Sequence, residues 1–397
     1  MNKSIHFTGQ PTFFQLLKLI PKELVRGCIE RSNADHYYKK FNTWHHLVSM
    51  LFACYGHCHS LREVVSGIRA FEGRLQSSGI NYLPARSTFS KANGRRDSKV
   101  FEEIYWALKT YWDRVLQDSR TRSDLIYIID STTIKLFQEI FKGSGCSKAD
   151  GRRKGGLKVH MAVQAEQAVP SIVHISQAAC NDVIFTKYLN LPTGSTVIMD
   201  RGYRNYQQYN QWTQQQIRWI TRTHPNTFYQ TVRSLSVPVS QQQGIQRDEI
   251  VRLGFPTKRI SKVDCRLIAY RASNGKYFEF ITNDFQSEAM FIAQLYQKRW
   301  RIELLFKRLK QNMPLQYFLG DSQNAIRIQI WCALIADLLI QVVRTQVKRN
   351  WAFSNIVSIV RLHLFNYLDL YSFLNNPERC IIQRPPNNNQ LKLNLSG

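Results

Sequence analysis

From residue 13 to residue 111 apolar groups recur at helical spacing between charged positions, and strand-like runs are few. The pattern predicts an all-helical N-terminal domain over residues 1–122. Within it Ser60 stands three residues before Glu63, the spacing of a capping box, so a helix is expected over residues 60–68. A second helix is expected from about Ser87. Residues 86–96 mix guanidinium, amide and hydroxyl groups, the types that reach phosphates and base edges, although a solvated basic helix has the same composition.

After residue 122 the period shortens to β-rich runs at 125–129, 157–165, 168–176 and 195–199. A helical stretch at 203–216 and a further strand at 217–221 follow, which together predict an α/β sheet of mixed direction over residues 123–223. Residues 224–286 alternate again in β fashion and are expected to form an inserted β subdomain. Ser287 and Glu288, a capping hydroxyl and a first-turn carboxylate, open a strong helix that begins a second part of the core, residues 287–350. The apolar run 328–343 carries Asp337 and is too short to span a bilayer, so a buried core helix is expected. Residues 351–397 read as a C-terminal helical segment with a turn or disordered tail at 385–389.

Charge narrows the partners. Lys and Arg number 54 against 28 Asp and Glu, a formal charge of +26, and such a surplus calls for a polyanion, with nucleic acid first. A membrane partner is not expected, because there is no long uninterrupted apolar span and no basic, apolar, small-residue signal at the N-terminus; a bacterial cytosolic or nucleoid location is. The eight cysteines show no repeated CxxC pair and read as reduced thiols. Cys54, His57, Cys58 and His59 are types that bind zinc, but neighbours on a helix face different ways and no second ligand pair follows, so a structural role is expected.

Two aspartates close apolar runs: Asp130 after Leu-Ile-Tyr-Ile-Ile, and Asp200 after Thr-Val-Ile-Met. Ligand sites in open α/β sheets form just beyond strand ends, so the two are candidates to converge, although either alone is also the usual turn or cap residue. In residues 291–310, at about 100° per residue, Tyr296, Arg299, Glu303 and Lys310 fall on one stripe of a helix. Leu295, Ile302, Leu305, Phe306 and Leu309 form an adjacent apolar stripe that would anchor it. An ordinary amphipathic helix with an Arg299–Glu303 pair at i,i+4 satisfies the same spacing.

These residues resemble insertion sequence family 4, the DDE transposases marked by a Tyr-Arg-Glu-Lys signature with gaps of two, three and six residues, all kept here at 296, 299, 303 and 310. Asp-Arg-Gly-Tyr at 200–203, Asp-Ser-Thr-Thr at 130–133 and Gly-Leu-Lys-Val-His at 156–160 are also similar to that family. The resemblance extends from about residue 5 to about residue 345. It implies an RNase H-like catalytic core with an inserted β subdomain, preceded by an all-helical DNA-binding domain. The implied activity is metal-dependent cleavage at terminal inverted repeats and joining to target DNA by cut-and-paste. Asp130, Asp200 and Glu303 would be the catalytic metal ligands, for two Mg²⁺ ions or Mn²⁺, since in-line phosphoryl transfer commonly uses two divalent ions and oxygen ligands.

Tyr296, Arg299 and Lys310 are then expected to hold DNA phosphates, as a guanidinium fork does well. Arg201, Tyr203, Lys158, Arg86 and Lys91 are further candidates for DNA contact. So are Arg152, Arg153 and Lys154 in the glycine-rich basic loop 142–154, which is equally in keeping with a solvated loop. Trp212 and Trp219 fit core positions better than a base-stacking role. The partners expected are double-stranded DNA and a second copy of the chain, because two ends must be paired. The competing readings are a catalytically silent DNA-binding regulator and an RNase H-like nuclease without strand transfer.

Overall fold

The computed structural model describes residues 9–71, 75, 79–116, 125–135, 145–147, 153–165, 167, 169–238, 244–254 and 263–380. In chain order the described elements are helices α1 (Thr12–Leu17), α2 (Lys22–Ser32), α3 (Thr43–Gly56), α4 (Leu61–Arg69), α5 (Arg86–Arg95) and α6 (Lys99–Leu116). Strands β1 (Ile126–Lys135), β2 (Gly145–Ser147), β3 (Arg153–Gln164), β4 (Pro170–Gln177) and β5 (Thr196–Met199) follow. Then come helix α7 (Tyr206–Gln214) and strands β6 (Arg218–Arg222), β7 (Tyr229–Ser234), β8 (Ile245–Leu253), β9 (Val263–Arg271) and β10 (Tyr277–Thr282). Helices α8 (Ala289–Gln297), α9 (Trp300–Asn312), α10 (Gln323–Gln346), α11 (Phe353–Leu362) and α12 (Leu370–Asn375) complete the order. It is a mixed α/β fold in two units, one of Met1–Val115 with Asn312–Gly397 and one of Leu116–Gln311.

In the helical unit Ser60 caps α4 as expected, while Glu63 reaches one residue further back than a capping box does. Ser60 Oγ accepts from Glu63 N at 3.2 Å, and Glu63 Oε2 accepts from His59 N at 2.9 Å, which starts α4. Helix α10 is the unit's axis and packs against α3, α5 and α11. It is the one described helix long and apolar enough to cross a membrane, and 94% of its apolar window is buried inside the fold. Gln329 stays satisfied there, donating to the carbonyls of Pro314 and Tyr317 at 2.6 and 2.7 Å and accepting from Leu319 N at 2.8 Å. The unit boundary differs from the expected one at residue 350. Because α10 is apolar on every side it is buried by the N-terminal helices, and the division falls at Asn312. Cys54 and Cys58 are buried, and burial raises both thiols, Cys58 to about 11, so they serve as packing groups.

In the second unit the sheet order is β2-β3-β1-β5-β6-β10-β9-β8-β7, with β4 paired to β3. β5 runs parallel to β1 and β6 parallel to β5, whereas β3 and β4 are antiparallel additions. Residues 224–286 do not fold away as a separate sheet: β10 hydrogen-bonds β6 from Phe280 opposite Arg222 to Thr282 opposite Ile220, so β7 to β10 extend the same sheet as an antiparallel meander. One sheet face carries Tyr127, Ile129, Val197, Met199, Trp219 and Ile281, packed against Tyr209 and Trp212 of α7. Trp212 and Trp219 are 1% and 0% exposed, which makes both core residues. Alternation along the strands turns Asp130, Asp200 and Phe280 to the opposite face. There Phe280 packs against Tyr296 of α8, with ring centroids 4.8 Å apart.

Candidate active site

The register of the parallel strands brings the two aspartates together. β1 and β5 pair from Ile126 opposite Thr196 to Ile129 opposite Met199, and the residue that follows the last pair on each chain segment is an aspartate. β5 stops there and Asp200 becomes the N-cap of the short 3-10 turn Arg201–Tyr203. β1 does not stop at Asp130, as a strand-ending carboxylate would require. It continues to Lys135 on β3 alone, so Asp130 stands where its β5 neighbour turns away and one side of the strand is open.

The segment with Glu303 is not one continuous helix. Lys298 N, Arg299 N, Arg301 N and Ile302 N all bond carbonyls three residues back, at 3.0 to 3.2 Å, which tightens the chain between α8 and α9. Tyr296 and Arg299 thus belong to the end of α8 and the turn, and Glu303 and Lys310 to α9. The side chains still meet. Arg299 donates to Glu303 Oε1 at 2.5 Å and to Asp130 Oδ2 at 3.4 Å, so one guanidinium joins the helix carboxylate to the strand carboxylate. The i,i+4 pair is present, but it is half of a three-residue bridge.

Asp130 records the crowding of like charge. Burial pushes its carboxyl up to about 6, the nearby Asp200 and Glu303 push the same way, and only the Ser131 N–H and Arg299 oppose. The donors are all oxygen, the kind that hard divalent cations prefer. Among the described residues no three His, Cys, Asp or Glu side chains stand grouped closely enough to hold an ion, and Arg299 is bonded to both Asp130 and Glu303. The set fits a divalent metal in chemistry.

Tyr296 and Arg299 frame this face. Burial raises the Tyr296 hydroxyl to about 12, and neither that hydroxyl nor Arg299 Nε has a hydrogen-bond partner among the described residues. Arg222, at the end of β6, adds positive charge felt by Tyr296 and lies 5.0 Å from the Phe278 ring centroid. Sequence reasoning missed Arg222, since a lone arginine ending a strand carries no motif. Arg201 is exposed next to Asp200 in sequence, and Lys310 is exposed on α9.

Two candidate contacts turn inward instead. Tyr203 is 1% exposed and packs in the α7 core. Lys158 donates to Cys180 O at 2.9 Å and pairs with Asp182 at 3.1 Å, its side chain 14% exposed. Asp182 also accepts from Ser131 Oγ at 2.8 Å, so this lysine and acid brace the strand that carries Asp130. His160 shares the brace: it stacks on Phe185, bonds Ser176 Oγ at 3.0 Å, and burial lowers its pKa to about 4. Asp182 was not foreseen, because its 3-10 turn, capped by Asn181, has no pattern that marks a support. Arg153 and Lys154 begin β3, and Arg152 lies outside the described residues.

The model of the transposase DDE domain matches residues 121–339, more than half of the chain and inclusive of all three carboxylates. The chain belongs to the DDE transposases. A domain of unknown function (DUF4372) matches residues 8–81 of this transposase. A putative transposase of Sinorhizobium fredii is 29% identical over 317 residues, 79% of this chain and 85% of its own. A probable transposase for an insertion sequence element of Geobacillus stearothermophilus is 26% identical over 244 residues, 61% of this chain and 63% of its own. One from Synechocystis, also named for an insertion sequence element, is 25% identical over 264 residues, 64% of this chain and 70% of its own. Family membership makes this transposase a DNA-cleaving, strand-transferring enzyme of a class that uses divalent metal ions.

Proposed function

We propose that this transposase excises an insertion sequence of family 4, the Tyr-Arg-Glu-Lys subgroup, at its terminal inverted repeats and joins the ends to target DNA by cut-and-paste. The observation that carries the proposal is that Asp130 and Asp200 each follow the last pair of one parallel register, with Glu303 tied to Asp130 through Arg299. The order β4-β3-β1-β5-β6, with β3 antiparallel and β5 and β6 parallel to β1, supports an RNase H-like core, and the helices before β1 support a separate DNA-binding region.

Asp130, Asp200 and Glu303 would hold two divalent ions, Mg²⁺ or Mn²⁺, which when bound supply the positive charge that an in-line phosphoryl transfer needs. Tyr296 and Arg299 orient a phosphate of the scissile strand, using the hydroxyl and Nε that lack protein partners. Arg299 therefore has two states, one closed on Asp130 and Glu303 and one turned to the DNA. Arg201, Lys310, Arg86 and Lys91, with Arg152, Arg153 and Lys154, carry the duplex, while Lys158 and Tyr203 support the strand ends. Two copies of the chain act on a paired set of ends in the bacterial cytosol or nucleoid.

The test uses a plasmid bearing the gene with its native flanking DNA, incubated with the purified protein with and without Mg²⁺. Excision at inverted repeats followed by joined products is expected only with the metal. Cleavage without joining would favour a nuclease of the same fold, and binding without cleavage a silent regulator.

A further inference from the structure

Helix α5 is mounted on one side and bare on the other. At about 100° per residue, Phe89, Ala92, Asn93 and the following Arg96 occupy one arc and are all buried. Arg86, Ser87, Ser90, Lys91, Gly94 and Arg95 fill the opposite half of the circumference and are all exposed. The buried arc is locked by directional bonds. Asn93 Oδ1 meets His46 Nε2 at 2.7 Å, and Arg96 bonds His46 Nδ1 at 2.8 Å and Phe41 O at 2.7 Å. Asn324 then caps the C-terminus, donating to Asn93 O at 3.0 Å and Arg96 O at 2.6 Å.

The exposed face has no acid. Among the described residues none of Arg86, Lys91 and Arg95 enters an ion pair, in contrast to Arg96, which is spent inside the fold. The helix stands as a ridge between two grooves. One, of 530 Å³, takes in Tyr37, Lys91, Arg95 and Asp97; the other, of 680 Å³, takes in Arg62, Arg86, Ser87, Ser90, Lys91 and Asp321, so each groove holds at least two cations to one acid. At the N-terminus of the ridge Ala85 supplies no side-chain cap, so the first N–H groups are free of one.

We infer that α5 is a duplex-reading helix whose exposed face docks in the major groove of double-stranded DNA, with Arg86, Lys91 and Arg95 on phosphates and Ser87 and Ser90 toward base edges. The inference rests on the DNA-handling function proposed above and assigns the element that selects the sequence. Dimensions favour it. The exposed stripe from residue 86 to residue 95 is about 14 Å long at 1.5 Å per residue, on a helix about 10–12 Å wide, and the major groove of B-form DNA is about 12 Å wide. The deep, narrow major groove of an RNA duplex does not admit such a helix. Grooves on both flanks give the phosphate walls room on either side, and a hydroxyl, which donates and accepts, can pair with any base edge.

The full chain is offered a pool of randomised DNA duplexes, and bound sequences are read out after successive selections. In parallel, the salt dependence of affinity is measured on one fixed duplex of arbitrary sequence. Wild type should enrich a defined motif. The double variant Ser87→Ala, Ser90→Ala should keep its affinity for the arbitrary duplex and lose preference at one or two motif positions. Lys91→Ala and Arg95→Ala should each flatten the slope of log affinity against log salt by about 0.9, with Lys91→Gln as a second variant that keeps side-chain length. Lys276→Ala, an exposed lysine on the turn between β9 and β10, should change nothing. If wild type enriches a motif and the α5 variants match it in motif and slope, α5 is not the reading helix and the transposase function stands. If wild type retains no duplex DNA, the DNA-handling function fails with it.

Discussion

The pair Arg266 and Asp248 offers a quantitative test of how the sheet extension supports the carboxylate face. Both side chains are nearly dry, 7% and 5% exposed, and the guanidinium meets both carboxylate oxygens at 2.7 Å. Its third nitrogen donates to Ser287 O at 2.5 Å and to Asp284 O at 3.4 Å, which fastens the start of α8 to β9. Arg266→Leu leaves a buried carboxylate without its partner, a loss worth about 3–5 kcal/mol, and strips two carbonyls of a donor at about 1 kcal/mol each. Asp248→Leu leaves the buried cation with its carbonyl partners and should cost about 3 kcal/mol. The double variant removes both charges and should cost only about 2 kcal/mol, the share of the two orphaned carbonyls. The assay is urea unfolding of the full chain, read by hydrogen exchange of peptides from β8 to β10. With a slope of about 2–3 kcal/mol per M, Arg266→Leu should lower their midpoint by about 2–3 M, and the double variant should recover at least half of that. A double variant as unstable as Arg266→Leu, or an Arg266→Leu protein within about 1 kcal/mol of wild type, would refute the argument that this pair is held by mutual neutralisation in a dry site.

Two further outcomes follow from the helical unit. A methyl group at Gly67 would stand 2.6 and 2.7 Å from ring carbons of Phe52, which is itself boxed in by Phe13, Phe71 and Phe365, so Gly67→Ala should destabilise by about 1–2 kcal/mol through overpacking. Gly94→Ala, with nothing within 4 Å, should instead stabilise by up to about 1 kcal/mol, and thermal melting of both variants beside wild type checks the two signs. His46 is held neutral well below its ordinary value by burial and by Arg96. The unfolded imidazole takes up a proton near pH 6.5 and the folded one does not, so stability is full above that pH and falls by about 1.4 kcal/mol per unit as the pH drops below it. His46→Gln should flatten that slope in urea unfolding between about pH 6.5 and 5.

Strand alternation and helical period made most of the elements legible, since each reports a local preference for one buried face. The strand at 195–199 and the capped α4 follow from that logic, whereas α8 opens at Ala289 with Glu288 as an N-cap that makes no side-chain cap bond, because the Ser287 hydroxyl is taken by Asp284. What eluded it depends on distant partners. Alternation at 266–271 and 276–282 marks strands but cannot say that β10 pairs with β6, so a separate subdomain was expected where the sheet simply continues. Helix α10 is apolar all round, and periodicity cannot tell which unit buries it. The break between α8 and α9 has neither glycine nor proline to announce it. At the site, the spacing of Tyr296, Arg299, Glu303 and Lys310 was readable, but the direction of a side chain was not, and Lys158 and Tyr203 point into the fold. Arg299 reaching Asp130 is a contact across 169 residues, beyond any local signal.

The central claim is that Asp130, Asp200 and Glu303 form one metal-dependent centre. The most direct measurement is single-turnover strand cleavage, with end binding assayed beside it, for Asp130→Ala, Asp200→Ala and Glu303→Ala at saturating Mg²⁺. Each variant should bind the ends as wild type does and cleave at least about 10²-fold more slowly, in line with the loss of a principal electrostatic group at a phosphoryl-transfer centre. Cleavage at the wild-type rate by any one of the three would contradict it.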